Sequence, residues 1–477
     1  MVETLLGTMR GRQRDDLARA AGEPAAAFAT RRDARLARLV RFHYENGRNP
    51  AYRGLLERHG ITVSRLPERA ADLPALPVVE KTLLREGDYA ARPAVADAEV
   101  RFVVQSSGST GSPTAVPHSA AFERRVFGEL YIRLFEMMGR GDLLREPGYG
   151  VAHYTPRSRN TGTYAAFTLL RELVPSTIVA CTRDPLADHL RVLLGDGVRW
   201  SASAPGFYLT VLAGAREHGL DLRRVALDTI VAGGAPVSED TQQRLVDGYG
   251  LGAFRLGYVC SELGWMGFQT EERGPYSLFA DDFIIEVVDQ RGRQVAPGER
   301  GRVLVTALAS DAAPLIRYAI GDTARYLGYT GPYAHFPVID EIGRDMVAHI
   351  GDGKVTYDDL AGLPLAMAAL GAPVTAFQLA KRRAADGRDQ IHVRVELADP
   401  GQDIQHVTSA AVNALRRHPQ MDDQIGDGEI PRPIVETFSP GQLSAGRLKV
   451  PLYVDETHVD ETHVDETRIG AGVPASG

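Results

Sequence analysis

Apolar runs and helical patterns alternate along the first half of the chain. Short, mostly apolar runs at 101–105, 149–154 and 228–232 are bounded by Gly, Ser, Thr or Pro, which is typical of strands. Apolar residues at helical spacing lie between such runs, for example at 122–138 and 207–218. Strands and helices that alternate at this spacing predict parallel βαβ units and a layered α/β fold. Ligands of such sheets collect beyond the carboxyl ends of the strands.

The pattern changes toward the C-terminus. Residues 283–289 and 301–306 are predicted antiparallel strands of a small β-subdomain, and the strands and helix predicted after residue 370 indicate a compact α+β cap. We therefore expect a large N-terminal domain of several subdomains at 1–342, a C-terminal cap domain at 343–453 and a tail at 454–477.

The tail is a repeat. The pentapeptide Val-Asp-Glu-Thr-His at 454–458 recurs at 459–463 and, with Arg in place of His, at 464–468. Such a polar segment cannot bury a core, so the sequence predicts disorder. Its two histidines and six acidic residues could bind a metal weakly, but a solvated repeat is the simpler interpretation.

Composition narrows the class of protein. The chain has 477 residues, 44% hydrophobic and 24% charged, so we expect globular material in more than one subdomain. A net charge of -7 offers no basic surface for nucleic acid or an anionic membrane. No apolar run approaches the roughly 20 residues that span a bilayer, and the N-terminus lacks a secretion-signal pattern. Two cysteines, Cys181 and Cys260, fit a reducing compartment, and we expect a cytoplasmic protein.

The basic residues are unevenly distributed by type. Of 54 Lys and Arg residues, four are lysines, and these are Lys81, Lys354, Lys381 and Lys449. Because Arg is the default cation of this chain, each Lys is a candidate for a role that a planar guanidinium cannot fill. The alternative is that these lysines have no special role.

A loop rich in Ser and Gly follows the strand predicted at 101–105 and is a candidate phosphate cradle. Its glycines let consecutive N–H groups converge on one anion, and its hydroxyls add donors. It lacks the Lys and the glycine spacing of the P-loop and of the dinucleotide fingerprint. A plain surface loop is the alternative. The predicted phosphate-binding residues are Ser106, Ser107, Gly108, Ser109, Thr110 and Gly111.

This loop resembles the phosphate-binding signature of the adenylate-forming superfamily. The segments at 43–52 and 76–84 resemble the N-terminal region of its phenylacetate–CoA ligase-like branch, and matching motifs follow in order over residues 30–455. The resemblance implies a large N-terminal adenylation domain and a small, mobile C-terminal cap. It also implies ATP, Mg²⁺ and coenzyme A as cofactors.

Further motifs resemble the family's nucleotide-binding elements. The strand-to-helix turn at 233–236 is similar to the loop that flanks adenine, although it is also an ordinary turn. In the segment at 256–262 the resemblance assigns adenine stacking to Tyr258 and a magnesium ligand to Glu262, and Mg²⁺ prefers such hard oxygen ligands. In the segment that ends at Asp322, it assigns the ribose hydroxyls to that carboxylate. The implied nucleotide-binding residues are Gly233, Gly234, Ala235, Tyr258, Ser261, Asp322 and Arg344.

The resemblance places a hinge at Arg344 and Asp345, before the mobile cap. Near the end of the cap the family carries Gly-Lys, and this lysine assists adenylation. Here Arg447 follows the glycine, and Lys449 comes two residues later. A compact ammonium fits between two oxyanions better than a planar fork, so we favour Lys449, with Arg447 as the alternative.

The resemblance implies that a carboxylic acid reacts with ATP to give an acyl-adenylate and pyrophosphate, after which coenzyme A displaces AMP. Aromatic residues near the elements that line the family's acyl pocket favour an aromatic or flat acid, although simple core packing is the alternative. The candidate substrate-binding residues are Tyr154, Tyr164, Phe207, Gly257 and Trp265.

Three departures from the family pattern keep other functions open. Ser112 stands where the branch usually has Lys, Val259 stands in place of Gly, and Arg447 stands where Lys is expected. One alternative is an enzyme that passes the acyl group to an amine, another nitrogen nucleophile or a carrier-protein thiol. The other is a degenerate, non-catalytic nucleotide- or acyl-binding protein. A homodimer is compatible with the resemblance, and neither nucleic acid nor a membrane is expected as a partner.

Overall fold

The computed structural model describes residues 2–85, 93–105, 114–145, 149–154, 162–182, 184–195, 197–234, 237–345, 347–350, 353–444 and 450–457, and the structural statements below concern these residues. The chain divides into two compact units. The first is Met1–Asp345 with Ser444–Lys449, and the second is Met346–Leu443 with Val450–Gly477. The division thus lies after Asp345, whereas the predicted N-terminal domain ends at 342.

The first unit begins with helices and continues as an α/β structure. Its α-helices are α1 (Val2–Gly22), α2 (Ala25–Glu45), α3 (Ala51–Arg58), α4 (Lys81–Arg85), α5 (Ala120–Glu123), α6 (Leu130–Met137), α7 (Gly162–Leu173), α8 (Leu186–Leu194), α9 (Pro205–Glu217) and α10 (Glu239–Tyr249). A π-helical segment at Arg124–Glu129 joins α5 to α6. Short 3₁₀ helices lie at Val63–Arg65, Ala70–Ala75, Asp97–Glu99, Gly141–Leu144 and Leu222–Arg224.

The strands of the first unit form a hairpin and a large sheet. They are β1 (Val100–Gln105), β2 (Ala115–Ser119), β3 (Tyr149–Tyr154), β4 (Thr177–Cys181), β5 (Val198–Ser203), β6 (Thr229–Gly233), β7 (Ala253–Cys260), β8 (Gly264–Gln269), β9 (Tyr276–Leu278), β10 (Phe283–Val288), β11 (Arg300–Ala307), β12 (Tyr318–Gly328) and β13 (Val338–Arg344). β1 and β2 make the hairpin.

One mixed sheet contains eleven of the described strands, in the order β10-β11-β12-β13-β9-β8-β7-β6-β5-β3-β4. Strands β3 to β7 pair in parallel, whereas the pairs from β7 onward are antiparallel. The predicted α/β fold is confirmed. The predicted small β-subdomain is continuous with the main sheet, because β9 pairs with both β8 and β13.

Strand β6 shows why the parallel strands are apolar throughout. Ile230 and Ala232 pack on one face with residues of α8, α9 and α10, whereas Val231 packs in the cluster on the other face. Because both faces are covered, the strand has a continuous apolar run instead of an alternating one. Ser238 then caps α10 by accepting a hydrogen bond from the Thr241 N–H at 3.2 Å.

The second unit has its own core. The hairpin β14 (Val347–Ile350) and β15 (Gly353–Thr356) precedes a sheet in the order β18-β17-β16-β19. The remaining elements are α11 (Tyr357–Ala369), β16 (Val374–Arg383), β17 (Asp389–Leu397), α12 (Ile404–Leu415), α13 (Pro419–Gly426), β18 (Ile434–Phe438) and β19 (Tyr453–Asp455). The tail predicted from 454 therefore differs at its start, since Val454 and Asp455 belong to β19.

No described helix is both long and apolar enough to cross a membrane.

Arg317 fixes the segment that leads to α4. Its backbone φ is 48°, and its side chain is buried. The guanidinium donates hydrogen bonds to Glu286 at 3.1 and 3.0 Å and to the Leu76 carbonyl at 2.8 Å. The Arg317 carbonyl accepts from the Val79 N–H at 3.1 Å. Residues 76–79 are therefore held beside the start of β12.

Arg317→Met should destabilise the first unit strongly. The change leaves Glu286 buried without its cation, and breaking a buried ion pair costs about 3–5 kcal/mol. The matched control is Arg293→Met, because the Arg293 side chain is 64% exposed and pairs with Asp289. It should cost less than about 1 kcal/mol. Urea and thermal unfolding measure both variants, and equal losses would contradict this role of Arg317.

Candidate active site

The carboxyl ends of β6 and β7 form the centre of the candidate site. Gly233, the last residue of β6, pairs with Gly257 of β7, and Tyr258 follows. Gly234 has a φ of 84°, a backbone conformation that favours glycine. The structure therefore brings together three residues of the predicted nucleotide site, which are Gly233, Gly234 and Tyr258.

Asp322 lies on β12, and both of its carboxylate oxygens have partners. Tyr258 donates its hydroxyl to Oδ2 at 2.9 Å, and Arg344 Nη1 lies 2.6 Å from Oδ1. Arg344 stands opposite Asp322 in the β12–β13 ladder, so the sheet register brings this ion pair together. Burial, and next the charge of Asp322, raise the pKa of Tyr258 well above its usual range. Each carboxylate oxygen has two lone pairs, so Asp322 can still accept ribose hydroxyls.

Glu262 follows β7 and is 3% exposed. The Tyr318 hydroxyl donates to Oε1 at 3.2 Å, and Lys81 Nζ lies 3.7 Å from the same oxygen. Burial alone would raise the pKa of Glu262. Lys81, hydrogen bonds from its own N–H and from Tyr318, and the charge of Arg344 outweigh burial, and the net pKa is lowered. The carboxylate is therefore charged at neutral pH, as a metal ligand must be.

Lys81 contributes to the site, although the sequence analysis did not assign it there. It begins α4, and a parallel bridge between Val79 and Tyr318 brings this helix against β12. A Cβ on Gly321 of β12 would lie 3.9 Å from Lys81 Nζ. The signal in the sequence was the rarity of lysine, which did not specify a partner. The ammonium lies between the end of β7 and β12.

Asp345, the predicted pivot, is tied to the segment that carries Lys81. Arg302 Nη1 donates to Glu80 Oε1 at 2.8 Å, and Arg302 Nε lies 2.7 Å from Asp345 Oδ2. The Asp345 N–H also donates to the Gly321 carbonyl at 3.0 Å. One guanidinium thus connects the end of the first unit to the residue that precedes Lys81.

Trp265 and Val259 occupy the space beside the two strand glycines. A Cβ on Gly257 would lie 2.2 Å from Cζ3 of Trp265, and one on Gly233 would lie 2.7 Å from Cγ1 of Val259. Close packing therefore requires glycine at both positions. The Trp265 ring is buried and lies 5.4 Å from that of Tyr131. These contacts give Trp265 a packing role, and a substrate contact stays a prediction.

The other predicted substrate residues form two groups in the described chain. The rings of Tyr154 and Tyr164 have centroids 5.1 Å apart. The Phe207 ring lies 4.4 Å from that of His153 and 4.9 Å from that of His189. The two histidines were not among the predicted site residues. Tyr154 and Phe207 both lie where parallel strands end, which is consistent with a place near the substrate.

Several predicted residues lie outside the described residues, and their roles stay predictions. They are Ser106, Ser107, Gly108, Ser109, Thr110, Gly111, Ala235, Arg447 and Lys449. The phosphate loop connects β1 to β2, whose hairpin is described. Ser261 lies in the turn between β7 and β8.

The described residues fit a metal ion that shares its ligands with a bound phosphate. Nowhere in the described ranges do three or more His, Cys, Asp or Glu side chains form a group that could hold a metal ion. Mg²⁺ needs only one or two carboxylates when phosphate oxygens and water complete its shell. Glu262 supplies one charged carboxylate of this kind.

Comparison with solved structures defines the class of fold. The chain is similar to 2-hydroxyisobutyryl-CoA ligase in complex with 2-HIB-AMP, with a TM-score of 0.71 and 21% identity over 92% of this chain and 91% of that chain. The chain therefore shares the fold of this CoA ligase.

Sequence comparison narrows this class. No protein-family model matches the chain. The chain is 27% identical over 385 residues to the phenylacetate-coenzyme A ligase of Thermus thermophilus. These residues cover 79% of this chain and 83% of the relative. It is 26% identical over 307 residues to the enzyme of the same name from Aromatoleum evansii. These residues cover 61% of this chain and 65% of the relative. The resemblance to the phenylacetate–CoA ligase-like branch is confirmed.

Lys81→Met should reverse the pH dependence that Glu262 contributes to stability. In the wild type the lowered pKa of Glu262 gives stability above its ordinary value of 4.5, and this is lost as pH falls. Without the ammonium we expect burial to dominate and raise the pKa, so that the contribution is present at low pH and lost as pH rises. The loss of melting temperature should therefore be larger at about pH 8 than at about pH 5.

The control for this experiment removes the titrating group. In Lys81→Met/Glu262→Gln the pH-dependent part of the loss should disappear, because the glutamine stays neutral. A loss in Lys81→Met that is the same at both pH values would show that Lys81 does not control the charge of Glu262.

Proposed function

We propose that this chain is an ATP-dependent carboxylate–CoA ligase that works through an acyl-adenylate. The observation that carries the proposal is a pair of buried carboxylates, Glu262 after β7 and Asp322 within β12. Glu262 pairs with Lys81, and Asp322 pairs with Arg344. The relatives named phenylacetate-coenzyme A ligase and the similarity to a ligase bound to an acyl-AMP support the same reaction.

In the first step a carboxylate oxygen of the acid attacks the α-phosphorus of ATP. The bond between this phosphorus and the bridging oxygen breaks, and pyrophosphate leaves. Asp322 accepts the ribose hydroxyls, and residues 106–111 donate to the phosphates. We assign to Lys449 the cation that assists adenylation by contacting the acid and the α-phosphate, with Arg447 as the alternative. Mg²⁺ at Glu262 supplies charge neutralisation for the phosphates when bound. Positioning and electrostatics carry this step.

In the second step the thiolate of coenzyme A attacks the carbonyl carbon of the adenylate. The bond from this carbon to the phosphate oxygen breaks, AMP leaves, and the thiol proton passes to solvent. We propose that the cap rotates about Arg344 and Asp345 between the steps and withdraws Lys449, as hinge motions do in other enzymes. The ion pair between Arg302 and Asp345 is a contact that this rotation would change.

We also propose that the substrate is a small carboxylic acid, aromatic or flat, and that the enzyme acts in the cytoplasm. A homodimer is compatible with this proposal, and so is a carrier protein as the acceptor in place of coenzyme A.

Glu262→Gln should lower acid-dependent pyrophosphate release by about 10²–10³-fold, as the loss of one positioned stabilising group typically does. Glutamine keeps the shape of the side chain and removes the charge that binds the metal. The matched control is Glu272→Gln, which changes an exposed glutamate and should retain the wild-type rate. A coupled pyrophosphate assay over a panel of carboxylic acids, with and without coenzyme A, makes the measurement.

The same assay separates the alternative functions. Pyrophosphate release with thioester formation supports the ligase. Release without a thioester would replace coenzyme A by an amine, another nitrogen nucleophile or a carrier protein. A wild-type chain that releases no pyrophosphate with any acid would contradict adenylation and favour a non-catalytic binding protein.

A further inference from the structure

His153, near the carboxyl end of β3, is a buried imidazole with no hydrogen bond to any of the described residues. It is 1% exposed, and neither Nδ1 nor Nε2 has a partner in the part of the chain that the structure describes. Other buried histidines of the described chain differ, since His43 bonds the Ser310 carbonyl and His118 bonds the Glu262 carbonyl. A buried polar group without a partner is unfavourable. A partner from outside the chain would remove this cost.

Neighbouring rings fix the position of His153. Its ring centroid lies 4.4 Å from that of Phe207 and 5.1 Å from that of His189. Its carbonyl accepts a hydrogen bond from Ser203 Oγ at 3.1 Å. Burial, and next the charge of His189, lower the pKa of His153 to about 3. The imidazole is therefore neutral and offers one donor and one acceptor.

We propose that His153 binds a hydroxyl group of the acid, so that the enzyme selects hydroxy acids. By choice of tautomer, a ring nitrogen can donate to a hydroxyl or accept from it, so a neutral imidazole matches a group that can do both. Strand β3 ends at the same edge of the sheet as β6 and β7, where ligands collect. The next residue, Tyr154, is a predicted acyl contact. This inference rests on the proposed function and names its substrate class.

The test compares acids that differ by one hydroxyl, such as phenylacetate with its 2-, 3- and 4-hydroxy derivatives and butyrate with 3-hydroxybutyrate. In kcat/KM for pyrophosphate release, the wild type should prefer at least one hydroxy acid by about tenfold or more. His153→Leu should reduce this preference to near unity. His153→Gln, which keeps a donor and an acceptor, should restore part of it. The control is His218→Leu, which changes a histidine already bonded to the Gly214 carbonyl.

Binding without turnover gives a second readout. The preferred hydroxy acid should raise the melting temperature of the wild type more than that of His153→Leu, with no ATP present. Equal preference in wild type and His153→Leu overturns the inference, as does a wild type that prefers no hydroxy acid. If the binding preference is found while no acid supports pyrophosphate release, the proposed reaction fails and the role of His153 stands.

An independent observation concerns the repeat tail. In its first copy, Asp455 stands opposite Lys381 in the β16–β19 ladder, and Oδ2 lies 2.8 Å from Nζ. Glu456 Oε2 lies 2.7 Å from Arg382 Nε, and Oε1 lies 2.8 Å from Arg394 Nη1. The Glu456 N–H donates to the Lys381 carbonyl at 2.8 Å. Two cations of β16, Arg394 of β17 and the backbone of β16 therefore hold the Asp-Glu pair at this edge.

We infer that the later copies of the repeat compete for this edge. Residues 459–462 and 464–467 repeat the sequence Val-Asp-Glu-Thr, so each carries the same acidic pair at the same spacing. The first copy is favoured because Tyr453, which precedes it, packs against the core of the second unit, whereas His precedes the later copies. Each exchange would add five residues to the chain between Lys449 and the docked copy.

Disulfide trapping in the full-length chain tests this exchange. Arg383 and Thr457 each lie two residues beyond the last pair of the β16–β19 ladder, Lys381 with Asp455. Arg383→Cys combined with Thr457→Cys is therefore the positive control. Arg383→Cys combined with Thr462→Cys reports docking of the second copy.

Arg383→Cys combined with Ser476→Cys measures non-specific cross-linking, because Ser476 lies beyond the repeats in the sequence. The Thr462 pair should cross-link several-fold faster than the Ser476 pair and more slowly than the Thr457 pair. Adding Glu461→Ala should remove most of this advantage, because the cations then lose their acidic partner. Equal rates for the Thr462 and Ser476 pairs overturn the inference.

Discussion

Two carboxylates are buried in the candidate site, Glu262 after β7 and Asp322 within β12. Taking an ion out of water costs several kcal/mol unless an opposite charge and hydrogen bonds compensate. Glu262 has Lys81 for this purpose, and Asp322 has Arg344. In both cases a buried tyrosine hydroxyl adds a hydrogen bond. Partners within the chain thus hold both carboxylates in position.

Strand β12 connects these two arrangements. It begins with Tyr318, which donates to Glu262, and it carries Asp322. Between Ala319 and Thr323 its pairing with β11 is irregular, and Gly321 within this stretch has a φ of 79°. Such bulges redirect the side chains beside them. The stability of the sheet and the geometry of the site therefore depend on the same few residues.

The sequence was informative where the signal is local. Strand and helix periodicity predicted the α/β fold, and short motifs selected Glu262 and Asp322 by resemblance. The position of Lys81 could not be predicted, because it depends on a bridge to β12 and a partner far away in the sequence. The continuity of the sheet depends on the pairing of β9 with β8 and β13, which no local pattern specifies. The packing of Trp265 against Gly257 is likewise a tertiary contact.

Acid-dependent exchange of labelled pyrophosphate into ATP tests the central claim most directly, because it reports reversible formation of the acyl-adenylate without reference to the acceptor. We predict that label enters ATP when a suitable carboxylic acid and Mg²⁺ are present and coenzyme A is absent. Exchange that fails with every acid, or that proceeds equally without an acid, would contradict a role for the buried carboxylates in adenylation.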